Sequence, residues 1–350
     1  MPADYEKQFA RPRAAALHRI AARHRTPSTP IGLWQLGSTL AAFGAVCAAM
    51  YASLEISYAI TLPLALVGAG LTVRLFVLQH DCGHGSLFRS RRANLVAGTV
   101  CGLLTLTPHL HWRRQHAGHH AVWNDLDRRD SGTDIYSNCL TVAEYRALPP
   151  FKRRIHRLVQ HPAVALLLLP PAIFLALYRV PFDTPADWVA ERRAVHLTNI
   201  AIVLGLAGLG AVLGYAAVLA VQLPIMVLAS IVGVWLFSLQ HRFARAHWSR
   251  RAEWTVTDAS LRGSSFLRLP APLGWFTGHI GYHHIHHLDS RIPNHRLRAC
   301  HDALPADAKP TPITLKEGLG AFRFALWDED ARRMTTFRMA ARADAAAVAA

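Results

Sequence analysis

Three groups of histidines carry spacings that suit metal binding. His80 and His84 form H-x3-H within His80-Asp81-Cys82-Gly83-His84. His116, His119 and His120 form H-x2-H-H, and His283, His286 and His287 repeat it. On a helix, side chains three and four positions apart lie on one face, so each group can aim two or three imidazoles at one point. Imidazole suits iron, copper, zinc and nickel. Histidine supplies 21 of 350 residues, and even at that frequency two H-x2-H-H runs exceed what chance provides. Eight imidazoles are too many for one ion, which takes about four to six ligands, so the pattern predicts two metals. The Glu plus Glu-x-x-His signature of carboxylate di-iron bundles is missing, which points to a cage of neutral imidazoles. Asp81, between two of these histidines, is expected to accept from a ligand histidine and orient it from behind.

The elements that must position these groups are membrane helices. Hydrophobic residues make up 52% of the chain and charged ones 17%, well short of the roughly 25% usual in soluble domains. Roughly 20 apolar residues cross a bilayer, and the runs 31–54, 57–79, 196–219 and 221–239 qualify. The stretch 94–107 is too short, and 162–178 is broken by Pro170-Pro171. Four spanning helices in two hairpins follow, the turns lying at 55–57 and 219–221. If all the histidine groups share one site, each segment between them crosses an even number of times. The net charge of +16 suits an anionic membrane surface. Arg89, Arg91, Arg92, Arg113, Arg114, Lys152, Arg153, Arg154, Arg242 and Arg245 flank helix ends on the histidine side, which the positive-inside rule makes cytosolic. Arg74 is expected to snorkel to that interface, with a partner inside the bundle as the alternative.

The expected organisation is a basic cytosolic arm over 1–30, a membrane domain over 31–325, and an Ala/Arg-rich tail over 326–350 that is a surface helix or disordered. Residues 1–28 lack the apolar core of a signal peptide. Five scattered cysteines without a CxxC pair argue against a disulfide framework or a thiolate zinc site. Asp125, Asp127 and Asp130 with Arg128 and Arg129 read as a solvated loop or as cap packing. His109 and His111 read as interfacial, and Cys82 as small packing.

Longer runs around the histidines extend the pattern: Gln79 to Ser86, Trp112 to His120, Trp123-Asn124-Asp125-Leu126-Asp127-Arg128-Arg129, Thr141-Val142-Ala143-Glu144-Tyr145, Gly281 to Leu288, and Ile292-Pro293-Asn294. On these residues the chain resembles the membrane fatty acid desaturases of the bacterial acyl-lipid type, over about residues 30–325. The resemblance implies an all-α membrane protein with a cytosolic helical cap around a non-haem di-iron centre. Such a centre uses O2 and two electrons to remove two hydrogens from an acyl chain. It also implies a ninth ligand outside the boxes, for which His241 in Gln240-His241-Arg242-Phe243 is the match. Ala244 stands where the family commonly has an acidic residue, and His247 follows. His279 stands where the family often has Asn and is expected behind the ligands, as is His284. By analogy His80, His84, His116, His120 and His287 would hold one iron, and His119, His241, His283 and His286 the other.

A hydroxylase or ketolase of an alkane, carotenoid or other lipid would share the same cage, and the longer runs favour the desaturase. A metal transporter would place its ligands in mid-membrane, whereas these lie just past helix ends. Nucleic-acid binding would need a separable basic module, and none is visible. Four-cysteine iron–sulfur, CxxCH and GxGxxG patterns are missing, so the electrons are expected from a separate ferredoxin or small cytochrome. The substrate is expected to be a fatty acyl lipid or thioester, and the location a bacterial inner membrane.

Overall fold

The computed structural model describes residues 3–129 and 139–349, so Asp130 lies outside the described residues. Helix α1 (Ala3–Ala22) leads into α2 (Thr29–Leu54) and α3 (Tyr58–His84). These last two form the first hairpin, turning at Glu55–Ser57. Ser57 starts α3 by accepting a hydrogen bond from the Ala59 amide, which satisfies one of the free donors of the first turn. Helices α4 (Arg91–Leu104) and α5 (His109–Val122) follow, with 103° between their axes. Thr105, Leu106 and Pro108 turn the chain there; Pro108 has no amide hydrogen to continue a helix.

Next come β1 (Leu140–Thr141), α6 (Val142–Ala147) and α7 (Pro150–Val159). A π-helical turn (Ala163–Leu168) runs into α8 (Leu169–Leu175), bending by 55° from α7. The second hairpin is α9 (Val189–Leu213) and α10 (Tyr215–His241). Its turn is Gly214, five or more residues before the expected 219–221. The apolar run is continuous through that point, so hydropathy carries no mark of it. What turns the chain is φ 85° at Gly214, a left-handed conformation that costs a residue without Cβ little. The remainder is α11 (Val256–Gly263), α12 (Ala271–Phe276), α13 (His283–Leu288), α14 (Asn294–Ala303), α15 (Leu315–Leu319), β2 (Leu326–Asp328), β3 (Arg333–Thr335) and α16 (Phe337–Ala349).

Among the described residues, four helices are long and apolar enough to cross a membrane: α2, α3, α9 and α10. The protein is a helical membrane protein. Helix α3 is the hub, packing on α2, α4 and α10. Ala69 and Val73 of α3 meet Ala229, Leu236 and Leu239 of α10, and deeper in the hairpins Met50 and Ala65 meet Val221 and Ile225. In lipid such contacts hold by close packing more than by a hydrophobic drive, so small residues at the seam matter. Helix α9 leaves Ile200, Val203 and Leu204 exposed, as a lipid-facing surface requires.

Arg74 does not reach the interface. It is 4% exposed, donates to Thr39 Oγ1 at 3.1 Å and to the Trp275 carbonyl, and lies 4.1 Å over the Trp275 ring. The bundle supplies the partners that burial of a guanidinium demands.

The cap is helical apart from one small sheet, ordered β1-β2-β3, with β1 parallel and β3 antiparallel to β2. Trp327, Met334 and Thr335 are buried, so residues 326–335 pack into the cap. The N-terminal helix packs too: Leu17 and Ala21 join Ile280, Ile285 and Leu297 in one cluster.

Candidate metal centre

Each histidine group sits on a helix end. His80 and His84 lie in the last turn of α3, His241 is the last residue of α10, and the H-x2-H-H boxes occupy α5 and α13. All converge at one end of the bundle, under the cap, and sort into two sets. His80, His84, His116, His120 and His286 form one, and His119, His241, His283 and His287 the other. Within each set, one ring nitrogen per residue lies within 4.8 Å of all the others.

The sorting corrects one expectation. His286 belongs with the first set and His287 with the second, the reverse of the analogy. Helix geometry gives the reason. Residues four apart sit about 40° from one another around the axis and residues three apart about 60° to the other side. Thus His116 with His120, and His283 with His287, stay together, while His119 and His286 swing to the opposite set.

The nitrogens face one another closely. Nε2 of His241 lies 3.1 Å from Nε2 of both His119 and His283. Nε2 of His120 lies 3.1 Å from that of His116 and 3.0 Å from that of His286. His84 Nε2 is buried without a hydrogen-bond partner. A neutral imidazole has one N–H and one lone pair, so a single Nε2 cannot satisfy two facing Nε2 atoms by hydrogen bonding. A shared cation satisfies them together, and the donor set fits a transition metal such as iron. His116, His120, His283, His286 and His287 are held well below the ordinary histidine pKa, first by burial and then by one another's charge. The rings therefore stay neutral, as ligands must be.

Behind the rings, Asp81 Oδ1 lies 3.4 Å from His80 Nδ1, and its Oδ2 accepts from the Asn294 backbone at 2.8 Å and side chain at 2.9 Å. His241 Nδ1 faces Asn124 Oδ1 at 3.1 Å, a partner that no spacing in the sequence marks. His284 turns away, because one residue on from His283 is 100° around α13. Its Nε2 pairs with His301 Nδ1 at 2.9 Å, and burial lowers its pKa to about 3. His279 is half-buried beside Gly274 and belongs to neither set. His109 and His111 are 3% exposed, and His111 Nε2 meets Thr184 Oγ1 at 2.7 Å; they are core residues and not interfacial ones.

A cavity of about 370 Å³ opens between α3, α5, α8 and α10. His80 and His116 of one set and His119 and His283 of the other border it. Elsewhere its wall is mostly apolar, with Val73, Phe76, Phe174, Met226 and Phe237 among a few polar groups such as Thr72, Ser230 and Gln240, while Gln115 and Asp183 lie where Phe182 is exposed. Trp112 lines it as well and stacks on His116 at 4.6 Å. The volume lies in the range of small-molecule sites, and the wall suits an aliphatic chain.

Residues 56–317 match the family model described as fatty acid desaturase. The chain belongs to that family. The desaturase is 39% identical over 323 residues to a fatty acid desaturase of Bacillus subtilis (strain 168), a match covering 92% of this chain and 90% of the relative. It is 28% identical over 243 residues to the sn-2 acyl-lipid omega-3 desaturase (ferredoxin), chloroplastic, of Helianthus annuus, covering 64% and 50%. It is also 28% identical over 243 residues to the acyl-lipid omega-3 desaturase (cytochrome b5), endoplasmic reticulum, of Arabidopsis thaliana, covering 64% and 58%. The desaturase is thus an oxidoreductase of lipid metabolism, and its histidines stand where a metal can be held.

Proposed function

We propose that the protein desaturates a fatty acyl lipid at a two-iron centre held by the nine histidines. One observation carries this reading: two sets of facing imidazole nitrogens border one apolar cavity. His80, His84, His116, His120 and His286 would hold one iron, and His119, His241, His283 and His287 the other. Bound there, the irons supply the activation of O2 and the removal of two hydrogens from adjacent methylenes. The balance is one O2, two electrons and two protons taken up, one double bond and two waters formed. The chain's own residues do the rest. The cavity wall lays the acyl chain past the histidines and excludes water from it, which suppresses side reactions. Asp81 accepts from His80 and keeps its other nitrogen free for the metal.

Electrons come from a separate ferredoxin or small cytochrome, in keeping with the ferredoxin and the cytochrome b5 in the names of the two plant relatives. Such carriers are often acidic, and the exposed Arg89, Arg91, Arg92 and Arg113 beside the histidine end give them a basic face. That end is the cytosolic one by the positive-inside rule, in a bacterial inner membrane.

Filling the cavity tests the assignment. Gly233 lines it with open space around the position of a Cβ. Gly233→Leu is expected to keep the iron and abolish or redirect double-bond formation, read by lipid mass spectrometry. A variant with unchanged products would place the acyl chain elsewhere.

A further inference from the structure

We infer that Asn124 is a positioning residue that sets the tautomer of His241 and thereby aims its Nε2 lone pair into the second set. The inference rests on the metal reading above. His241 is fully buried, and unlike the eight box histidines it has no second histidine three or four residues away on its helix; Phe237, one turn back, packs edge-on at 6.5 Å and offers no polar atom. What decides which ring nitrogen carries the proton has to come from elsewhere in the chain.

The structure shows where. Asn124 lies two residues past the end of α5 and is 2% exposed. Its Nδ2 donates to the His247 carbonyl at 2.9 Å, and its Oδ1 lies 3.1 Å from His241 Nδ1. A backbone carbonyl can only accept, so the NH2 of the amide must face His247, and the amide cannot be flipped. The oxygen is left to face His241, and an amide oxygen can only accept. His241 Nδ1 must therefore carry the proton. In the neutral ring that leaves Nε2 with a lone pair, and Nε2 is the atom 3.1 Å from His119 and His283.

The amide is locked in place. The Ser249 amide donates to the Asn124 carbonyl at 3.2 Å. A Cβ on Gly263 would stand 2.9 Å from the His247 carbonyl and 3.0 Å from Asn124 Nδ2, so only glycine lets these strands of chain close. Asn124 itself has φ 54°, a left-handed conformation that Asn and Asp tolerate and aliphatic residues do not. The segment after α10 thus gains a purpose. The carbonyl of His247, not its ring, reaches the metal centre, through two hydrogen bonds.

Two variants separate tautomer control from backbone fit. Asn124→Gly accepts the left-handed backbone and removes the amide. Asn124→Asp accepts it too and keeps an oxygen acceptor for His241 Nδ1. Wild type and both variants are purified in detergent and loaded with ferrous iron. Iron per chain and the rate of iron release to a ferrous chelator are then measured. Partners behind a metal-bound histidine are worth about 10- to 100-fold in metal affinity. Asn124→Gly is expected to release one of its two irons at least about tenfold faster than wild type, and Asn124→Asp to release it within about threefold of wild type. Equal release from Asn124→Gly and wild type overturns the inference. So does Asn124→Asp losing iron as fast as Asn124→Gly, because the acceptor would then be irrelevant. A wild type that binds no second iron overturns the metal reading itself, and this inference with it.

Discussion

His119 and His286 are the middle histidines of two H-x2-H-H boxes, and each crosses to the set that the other two residues of its box do not join. The centre is thereby cross-braced: α5 and α13 each contribute to both sets. Substitutions in one box should consequently damage different irons. His119→Ala and His287→Ala are expected to weaken the iron of the second set, and His120→Ala and His286→Ala that of the first. Double variants within a set should bind about one iron per chain and those across sets fewer. Metal analysis of His119→Ala/His287→Ala against His119→Ala/His286→Ala checks this. Identical stoichiometry in both would refute the sorting.

His241 and His247 stand six residues apart and do different work. His241→Ala is expected to insert in the membrane, lose desaturation and lose part of the iron. The His247 ring packs edge-on against Trp327 at 5.7 Å, away from either set. His247→Ala keeps its backbone carbonyl and should keep the iron, at a stability cost of about 1–2 kcal/mol from the lost packing. Thermal melts and metal content measured side by side distinguish the two.

Arg74 should prove costly to remove. Arg74→Met leaves Thr39 Oγ1 and the Trp275 carbonyl without their donor and strips the cation from the Trp275 ring. A buried acceptor left without its donor costs about 1–3 kcal/mol. Arg74→Lys should not rescue it, since one ammonium cannot reproduce the guanidinium's fork. A melting temperature unchanged in Arg74→Met would show that the residue snorkels after all.

Acid should destabilise the metal-stripped protein in a defined window. Burial lowers His109 and His247 to about 4, against an ordinary value of 6.5. With folded values below unfolded ones, protons bind the unfolded chain first. Stability is therefore full above pH 6.5 and falls as pH drops toward 4. His109 alone should remove on the order of 3 kcal/mol across that window, and His247, the less deeply buried of the two, somewhat less. Denaturant unfolding at several pH values checks the sign; stability rising on acidification would contradict it.

The sequence made the four spanning helices and the box histidines legible, because both signals are periodic and local. Hydropathy sees 20 apolar residues in a row, and H-x2-H-H sees one helix face. It could not see the turn at Gly214, since the residues around it are equally apolar on both sides. Nor could it see Arg74 held by Thr39 and Trp275, or Asn124 holding His241. Those contacts join residues 35 to 201 positions apart and leave no spacing to read. For His286 and His287 the sequence holds half of the answer. Spacing keeps His283 and His287 on one side of α13 and sends His286 to the other, but which side faces which set depends on how α13 docks against α5 and α10.

That the nine histidines serve acyl desaturation can be read from double-bond analysis of total lipids from a bacterial host that makes no unsaturated fatty acids. The host expresses wild type or His241→Ala at equal membrane levels and supplies a ferredoxin. New unsaturated acyl chains are expected with the wild type and none with His241→Ala. Hydroxylated chains in place of double bonds, or equal double-bond yields from both proteins, would contradict it.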